Sequence, residues 1–315
     1  MKVNELAKRL AGTAGLALNK LVGDRSDGAL GILTYHRVAP NLPGLPRPSI
    51  NVTPENFRQQ ITGLLDRGFT VWPLSRVLQY HARGHAVPAQ TIVLTFDDAF
   101  ESVYLNAWPV LRELQAPATV FLSTAYLDSR APFPFDPWGI AHQDRAPAET
   151  YRSLTTAQCR EMAADGLIEL GSHTDTHDDF RGRPDELCRD VQASLEILRT
   201  RFGLHDVPFA FPYGRVNDGF AGGPLAVAAR TAGVLCALTT ECEPVDPQSD
   251  PFYWGRINAY DWDTGATLAA KLAGCYGWAP KLQDWLRSAK RHYASRIRRP
   301  ARRPSSNKTN PATTA

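Results

Sequence analysis

The chain has 315 residues, of which 43% are hydrophobic and 21% charged, and its formal net charge is only +3. This composition is globular, and the length fits one large α/β domain with short extensions. No run approaches 18 apolar residues, which excludes a predicted membrane-spanning helix.

Residues 1–30 precede the first predicted strand, and we interpret them as an N-terminal arm. Lys2, Lys8 and Arg9 come before an apolar stretch, as in a secretory signal, but Gly12 and Gly15 interrupt that stretch and no convincing cleavage site follows. The cysteines are odd in number and scattered, without a CxxC pair, which favours free thiols in a reducing compartment. We therefore expect a cytoplasmic protein, with peripheral contact to the inner membrane as an open alternative.

Short apolar runs rich in β-forming residues recur along the chain, with helical stretches between them. These runs are Gly31–Tyr35, Thr91–Phe96, Ala118–Leu122, Leu167–Gly171, Pro208–Pro212, Leu235–Thr239 and Arg256–Tyr260. The intervening helices have start signals, namely Thr53 before Pro54, a capping box at Thr155 and Gln158, and Pro184. Strands alternating with helices predict a parallel sheet, and their unbroken hydrophobicity predicts a barrel or a doubly wound sheet.

Two adjacent acids, Asp97 and Asp98, directly follow the predicted strand Thr91–Phe96. The carboxyl ends of parallel strands are where α/β folds gather their reacting groups. Carboxylates this close repel each other, so the pair is tolerable where one binds a cation and the other gains or loses a proton. A pair of helix N-caps is an equally good interpretation of these residues alone.

The segment Asp128–Arg152 interrupts the alternation of strands and helices. It is the longest irregular stretch before the chain's end and is rich in proline and aromatic residues, including Trp138. Long loops of this kind are uncommon in compact domains unless they have a function, so we interpret the segment as a lid over one end of the fold.

Two histidines, His173 and His177, follow the predicted strand Leu167–Gly171 and lie four residues apart. One helical turn would put both imidazoles on one face. The spacing alone is weak evidence, and its position after a strand gives it weight. Two neutral imidazoles and one carboxylate suit a catalytic zinc ion with open positions for water and substrate, although non-haem iron oxygenases use the same ligand set.

The segment Phe211-Pro212-Tyr213-Gly214 ends a further predicted strand. Its proline and glycine shape a turn that can aim a backbone N–H into a site, where it would stabilise an oxyanion. Taken alone, the segment fits an ordinary turn between a strand and a loop better.

Basic residues crowd together near the C-terminus. They are Arg287, Lys290, Arg291, Arg296, Arg298, Arg299, Arg302 and Arg303. We interpret residues 286–315 as a solvated, disordered tail, with contact to an anionic membrane as the alternative. A nucleic-acid partner is not expected, because only this tail supports one.

Three ordered segments, Thr95-Phe96-Asp97-Asp98, His173-Thr174-Asp175-Thr176-His177 and Phe211-Pro212-Tyr213-Gly214, resemble the first three motifs of a known family. It is the polysaccharide deacetylase family with the NodB homology domain, carbohydrate esterase family four. The opening segment Leu33–Val38 is similar to that of the branch found with bacterial exopolysaccharide and capsule synthesis. The resemblance implies a distorted (β/α)7 TIM-like barrel, which we place at residues 31–285.

By this resemblance the protein is a metal-dependent hydrolase that removes N-acetyl groups from the N-acetylhexosamine units of a polysaccharide. Asp98, His173 and His177 would bind a divalent metal ion, for which Zn²⁺ is our expectation. Asp97 would be the catalytic base, and Tyr213 would supply the backbone donor for the oxyanion.

The candidate substrate-binding residues are Pro212, Tyr213 and Trp138, whose rings suit stacking on a pyranose although each also suits a core. The expected partner is an N-acetylated polysaccharide or oligosaccharide. Nothing in the sequence indicates an oligomeric state.

The chain departs from the family pattern at two places. Many relatives have an arginine two residues before the proline of the third motif, where this chain has Ala210, and we take Arg256 as the replacement that tethers the base. The late Leu-x-His motif, whose histidine protonates the leaving amine, is not evident. His36 at the end of the first strand is the best-placed substitute, and a structural histidine bonded to backbone is an equal interpretation.

These departures keep other functions open. One alternative is a deacetylase-like protein that binds metal and glycan but turns over poorly. Another is the non-haem iron oxygenase, against which the adjacent Asp97 and the alternating β/α pattern argue. Deformylation and O-deacetylation are variants of the hydrolytic function.

Overall fold

The computed structural model of the protein describes residues 30–48 and 50–274. Its strands are β1 (Gly31–Tyr35), β2 (Arg37–Val38), β3 (Asn51–Val52), β4 (Thr70–Val71), β5 (Thr91–Phe96), β6 (Ala118–Leu122), β7 (Ile168–Ser172), β8 (Phe209–Ala210), β9 (Ala237–Leu238) and β10 (Ile257–Asn258). Its α-helices are α1 (Pro54–Leu65), α2 (Leu74–Ala82), α3 (Trp108–Leu114), α4 (Pro137–His142), α5 (Thr156–Ala164), α6 (Pro184–Phe202), α7 (Gly223–Ala232) and α8 (Gly265–Leu272).

Eight of the strands form one parallel sheet. The order across it is β10-β1-β5-β6-β7-β8-β9, and β4 pairs with the beginning of β5. The strands β2 and β3 make a separate parallel pair. The sheet curls into an incomplete barrel with helices around it, so the predicted distorted barrel is confirmed. All carboxyl ends of its strands point to the same side.

The predicted strands differ in how far they extend. β1, β5 and β6 have the predicted bounds, and β7 begins one residue later than predicted. The last three are only two residues long each, shorter than the predicted runs. In β8 the reason is visible in the sequence, because Pro208 and Pro212 have no N–H to donate to a neighbouring strand.

The helix start signals act as predicted. Thr53 caps α1 by accepting a hydrogen bond from the Asn56 N–H at 3.3 Å. Thr155 and Gln158 form the complete capping box of α5. Pro184 opens α6, which Gly203 ends in the left-handed conformation with a φ of 71°.

The largest group of buried apolar side chains lies between the sheet and its helices. It includes Leu33, Phe57, Phe96, Val120 and Leu268, all fully buried. β1, β5 and β6 are buried at every position, because the barrel interior covers one face and the helices cover the other.

Some expectations fall on parts of the chain that are not described. The N-terminal arm up to residue 29 and the basic tail, with its alternative membrane contact, lie outside the described residues. Within residues 30–48 and 50–274, no helix combines the length and the apolar character needed to cross a membrane.

The close approach of α1 and α8 generates a prediction about stability. A Cβ on Gly265 would lie 2.5 Å from the carbonyl carbon and 2.8 Å from the oxygen of Gly63, which is backbone that cannot turn aside. We expect Gly265→Ala to lower the free energy of unfolding by about 1–3 kcal/mol, as overpacking does. Urea denaturation measures it, and the half-buried neighbour variant Ala266→Ser is the control. Equal stabilities of the two variants would contradict the packing argument.

Candidate active site

The two acids after β5 turn to different partners. The Asp97 N–H donates to the Tyr35 carbonyl at 2.9 Å, which continues the pairing of β5 with β1 by one residue. Asp98 and Ala99 then take left-handed backbone conformations, with φ of 69° and 66°. Both carboxylates are buried. The turn therefore directs the two carboxylates to different partners. Asp97 contacts an arginine, and Asp98 contacts two imidazoles.

Asp97 forms a two-pronged ion pair with Arg256. Nη1 of the arginine donates to Oδ1 at 2.6 Å and Nη2 donates to Oδ2 at 2.8 Å. Nε donates to the Thr239 carbonyl at 3.0 Å, and the Arg256 side chain is fully buried. The arginine proposed from the sequence as a substitute for the residue missing at Ala210 therefore contacts Asp97 directly.

The charge state of Asp97 follows from this contact. Burial alone would raise the pKa of Asp97, but Arg256, followed by His173 and His36, holds that pKa below its usual value. Burial lowers the pKa of His173 to about 4, so this imidazole is neutral at pH 7. Arg256 is then the cation that keeps Asp97 ionised at neutral pH.

His173 and His177 are brought together by a loop, so the helical turn expected from their spacing is wrong. Residues 173–177 have no helical hydrogen bonds, and Thr174 and His177 are left-handed, with φ of 67° and 59°. The His177 N–H donates to Thr174 Oγ1 at 2.9 Å, which closes the loop on itself. The ring centroids of the two histidines are 5.1 Å apart.

Asp98, His173 and His177 form a cluster suited to a metal ion. One ligand atom from each of the three lies within 4.8 Å of the others, and all three residues are buried. His173 and His177 approach Asp98 Oδ1 with their Nε2 atoms, at 3.6 Å and 3.4 Å. Asp98 Oδ1 is buried without a hydrogen bond among the described residues. An orphaned carboxylate oxygen facing two imidazole nitrogens fits a cation with carboxylate and imidazole ligands.

The protonation of the cluster agrees with this fit. His173 Nδ1 lies 2.8 Å from the Ala210 carbonyl, an acceptor, so Nδ1 carries the proton and Nε2 presents its lone pair to the cluster. Burial alone would raise the pKa of Asp98, but the neighbouring imidazoles of His177, His36 and His173 lower it. The group is therefore an ionised carboxylate that faces the Nε2 lone pair of His173.

Backbone strain is concentrated around this cluster. Five of the eight non-glycine residues with positive φ in the described part of the chain are Asp98, Ala99, Thr174, His177 and Tyr213. Such conformations cost energy and persist where the surrounding structure enforces them, often at functional sites.

The turn Pro212-Tyr213-Gly214 lies beside the cluster. Tyr213 is left-handed with a φ of 61°, and its ring is half exposed with its centroid 5.0 Å from that of His177. Pro212 has no N–H, so the first backbone donor of the turn is the Tyr213 N–H. A Cβ on Gly214 would lie 2.8 Å from Thr240 Cγ2 and 3.0 Å from the Thr240 N, so the tight turn requires glycine.

His36 lies at the open edge of the site. Its Nε2 is 3.9 Å from Asp97 Oδ2, and its side chain is 19% exposed, whereas the Asp97 side chain is almost fully buried. The His36 imidazole is therefore accessible to solvent and close to the buried carboxylate of Asp97.

The segment Asp128–Arg152 reaches the cluster through one ring. Phe135 stacks on the His177 imidazole, with centroids 3.7 Å apart and planes 16° from parallel. Trp138 makes other contacts, since its Nε1 donates to the Pro46 carbonyl at 2.7 Å and its ring lies 5.2 Å from the guanidinium of Arg37. Arg37, buried, holds the segment through an ion pair with Asp136.

Two contacts of the site were not foreseen from the sequence. Arg37 and Asp190 hold the neighbouring loops through partners 99 and 15 positions away. Asp190 lies in none of the motifs, and Arg37 lies in the opening segment Leu33–Val38 but had no role assigned to it. A carboxylate on the inward side of an amphipathic helix was the only sequence signal for Asp190.

Known proteins are similar to this chain in sequence. Residues 84–229 match the polysaccharide deacetylase family model. The poly-β-1,6-N-acetyl-D-glucosamine N-deacetylase of Staphylococcus epidermidis is 26% identical over 216 residues, which are 66% of this chain and 67% of the relative. The enzyme of that name from Staphylococcus aureus MSSA476 is also 26% identical, over 219 residues with the same coverage.

Solved structures show the same fold. IcaB from Ammonifex degensii superimposes with a TM-score of 0.62 and 25% identity, covering 80% of this chain and 97% of its own. A de-N-acetylase from Aggregatibacter actinomycetemcomitans gives a TM-score of 0.64 with 21% identity, covering 77% of this chain and 99% of its own.

The buried pair of Arg256 and Asp97 generates a second prediction. Removing one partner of a buried ion pair leaves an uncompensated charge, so we expect Arg256→Met to lower the free energy of unfolding by about 3–5 kcal/mol. In the double variant, Asp97→Asn removes that charge and should restore part of the lost free energy of unfolding. Urea denaturation of the wild type, both single variants and the double variant forms a double-mutant cycle. Additive effects would show that the two side chains are not coupled.

Proposed function

We propose that this chain is a polysaccharide deacetylase that removes N-acetyl groups from the N-acetylhexosamine units of a bacterial exopolysaccharide or cell-surface glycan, using a divalent metal ion. The match of residues 84–229 to the polysaccharide deacetylase family model supports a hydrolase that removes acetyl groups. Two similar curated relatives are named for N-deacetylation of poly-β-1,6-N-acetyl-D-glucosamine. Their names support an N-acetylhexosamine polymer as the substrate.

One observation carries the proposal. A buried cluster of one carboxylate and two imidazoles lies directly beside a second carboxylate, Asp97, which Arg256 keeps ionised. A bare ligand cluster would suit many functions, but hydrolysis of an amide also needs a base next to the metal.

The cation would be held by Asp98, His173 and His177, and this ligand set favours Zn²⁺. A metal ion bound there would supply a Lewis acid that polarises the acetyl carbonyl and makes a water molecule easier to deprotonate.

The side chains around the cluster divide the remaining work. Asp97 accepts a proton from the attacking water, and the oxygen of that water forms a bond to the acetyl carbon. The Tyr213 N–H donates a hydrogen bond to the negative charge on the former carbonyl oxygen. The C–N bond then breaks, and His36 gives the sugar nitrogen the proton that it needs, because an amide anion is a very poor leaving group. The products are acetate and a free amine.

Arg256 bears on the alternative of a protein that binds glycan without turnover. That alternative arose partly from Ala210, which stands where relatives have an arginine. Arg256 makes two hydrogen bonds to Asp97, and its guanidinium lies 5.5 Å from the centre of the Phe121 ring, whose buried apolar cluster includes Ala210. The small side chain at position 210 thus accompanies an arginine that immediately precedes β10.

The proposal is tested with a panel of N-acetylhexosamine oligomers incubated with the metal-loaded protein. We expect each cleavage to lower the oligomer mass by one acetyl group, and a chelator to abolish the change. A matched O-acetylated sugar separates N-deacetylation from O-deacetylation. No loss of mass from any N-acetylated oligomer would overturn the proposal.

The two adjacent acids should give opposite results when each is changed to asparagine. Asp97→Asn cannot accept a proton, so kcat should fall about 100-fold or more while metal stays bound. Asp98→Asn should lose metal affinity, and added metal should partly restore its activity. Metal content and rate across a metal titration measure both. Reversed behaviour would exchange the two roles, and full activity of both variants would contradict the mechanism.

His36 should matter for turnover and little for metal binding. His36→Gln keeps a polar side chain of similar length but cannot deliver a proton, so we expect kcat to fall about 100-fold or more with an unchanged metal content. On an N-acetyl substrate that carries a better leaving group, the kcat of His36→Gln should fall much less. An equal loss on both substrates would exclude His36 as the general acid.

A further inference from the structure

The two imidazoles of the cluster are held in different ways. His173 Nδ1 donates to the Ala210 carbonyl, which fixes the direction of its ring. His177 Nδ1 is buried and has no hydrogen bond among the described residues. A metal-binding histidine usually donates its second ring N–H to an oriented acceptor. His177 therefore needs another source of orientation.

That orientation comes through the backbone of the histidine loop, residues 173–177. The His177 N–H donates to Thr174 Oγ1, and the left-handed φ of 59° at His177 sets the direction in which its side chain leaves the chain. A non-glycine residue keeps this conformation only where its neighbours enforce it. The position of the His177 ring therefore depends on whatever holds Asp175 and Thr176.

Asp190 on α6 holds both of these residues. Its Oδ1 accepts the Asp175 N–H at 2.6 Å and the Thr176 N–H at 3.3 Å, and its Oδ2 accepts the Thr176 hydroxyl at 2.7 Å. One carboxylate thus satisfies two consecutive backbone donors and a side chain in a loop with no regular secondary structure.

The opposite side of the loop is held by the turn that follows β6. Thr124 Oγ1 donates to Asp175 Oδ1 at 2.7 Å, and the Ala125 N–H donates to the Asp175 carbonyl at 3.0 Å. The Tyr126 hydroxyl donates to the Thr176 carbonyl at 2.9 Å. These three hydrogen bonds all use oxygen atoms of the histidine loop as acceptors. The N–H groups of Asp175 and Thr176 donate to Asp190 instead.

The helix that carries Asp190 is itself firmly placed. Leu187, Val191 and Leu198 on α6 are buried, and the Ser194 hydroxyl accepts a hydrogen bond at 2.9 Å from the Ser172 hydroxyl at the end of β7. Asp190 therefore connects a packed helix to the loop, and α6 cannot shift without moving the loop.

We propose that Asp190 is a positioning residue that sets the affinity of the site for its divalent cation by fixing the backbone from which His177 projects. The inference rests on the proposed function, since it assigns Asp98, His173 and His177 to a cation. It predicts that hydrogen bonding by Asp190 matters and that its charge matters little.

Two substitutions of Asp190 separate these contributions. Asp190→Ala removes all three hydrogen bonds and should weaken Zn²⁺ binding about 10–100-fold, as expected when a residue that orients a ligand is lost. Asp190→Asn keeps an oxygen acceptor for the two backbone N–H groups, and its amide can donate to the Thr176 hydroxyl. This variant should bind Zn²⁺ within about threefold of the wild type.

The measurement is titration of the metal-free full chain with Zn²⁺ alone, supported by the visible spectrum of the Co²⁺-loaded protein. Circular dichroism below the melting transition confirms that each variant is folded. Asp185→Ala is the matched control, because Asp185 is exposed on the same helix and its removal changes the net charge equally. Its affinity should equal that of the wild type. Saturating Zn²⁺ should restore most of the kcat of Asp190→Ala.

The outcomes are distinct. Weak binding by Asp190→Ala with near-normal binding by Asp190→Asn supports the proposal. Equal losses in both variants would make the role electrostatic and overturn it, and so would an unchanged affinity of Asp190→Ala. If the wild type itself bound no metal, the proposed function would fall together with this inference, whereas wild-type binding with an insensitive Asp190→Ala would overturn only the inference.

Discussion

One guanidinium inside the barrel connects parts of the chain that the sheet pairing leaves apart. Arg256 precedes β10, yet its side chain donates hydrogen bonds to Thr95 in β5, to Asp97 just after β5 and to the Thr239 carbonyl just after β9. In the described part of the chain β9 and β10 are not paired with each other, so the sheet does not close there. A buried arginine requires acceptors on all sides, and these three supply them. The acid beside the ligand cluster and the open seam of the barrel are thus both held by the Arg256 side chain.

The site is built on strand ends that give way to strained loops. β8, β9 and β10 are two residues long, and the backbone beyond β5, β7 and β8 enters left-handed conformations at Asp98, Thr174 and Tyr213. Regular pairing would send alternate side chains to opposite faces of the sheet. The left-handed residues break that alternation, so an acid and two imidazoles converge on one point, and the Tyr213 ring lies 5.0 Å from that of His177. The energy of this strain is offset by the packed sheet below it and by hydrogen bonds to the loops.

The two histidines show two solutions to one physical requirement. A ligand must be oriented before the metal arrives, or binding costs the entropy of ordering it. His173 is oriented through its ring by the Ala210 carbonyl, whereas His177 has a stacked ring, Phe135, and a clamped backbone. Phe135 belongs to the segment 128–152, so the same segment interpreted from its composition as a lid also forms one wall of the ligand cluster.

The sequence by itself determined the strands β1, β5 and β6, the helix starts and the ordered acid and histidine motifs, because these depend on residues close together in the chain. Unbroken apolar runs and capping residues act locally, and parallel strands place their carboxyl ends on one side whatever the loops do. The contact of Arg256 with Asp97 spans 159 positions; the family pattern suggested this arginine as a candidate, and only the tertiary structure established the contact. The conformation of residues 173–177 likewise depends on Thr124, Tyr126 and Asp190 from other elements, so the spacing of four residues suggested a helical turn that the chain does not form. Local signals fix where elements begin and end, whereas the positions of buried charges follow from partners that meet only after the sheet has curled around them.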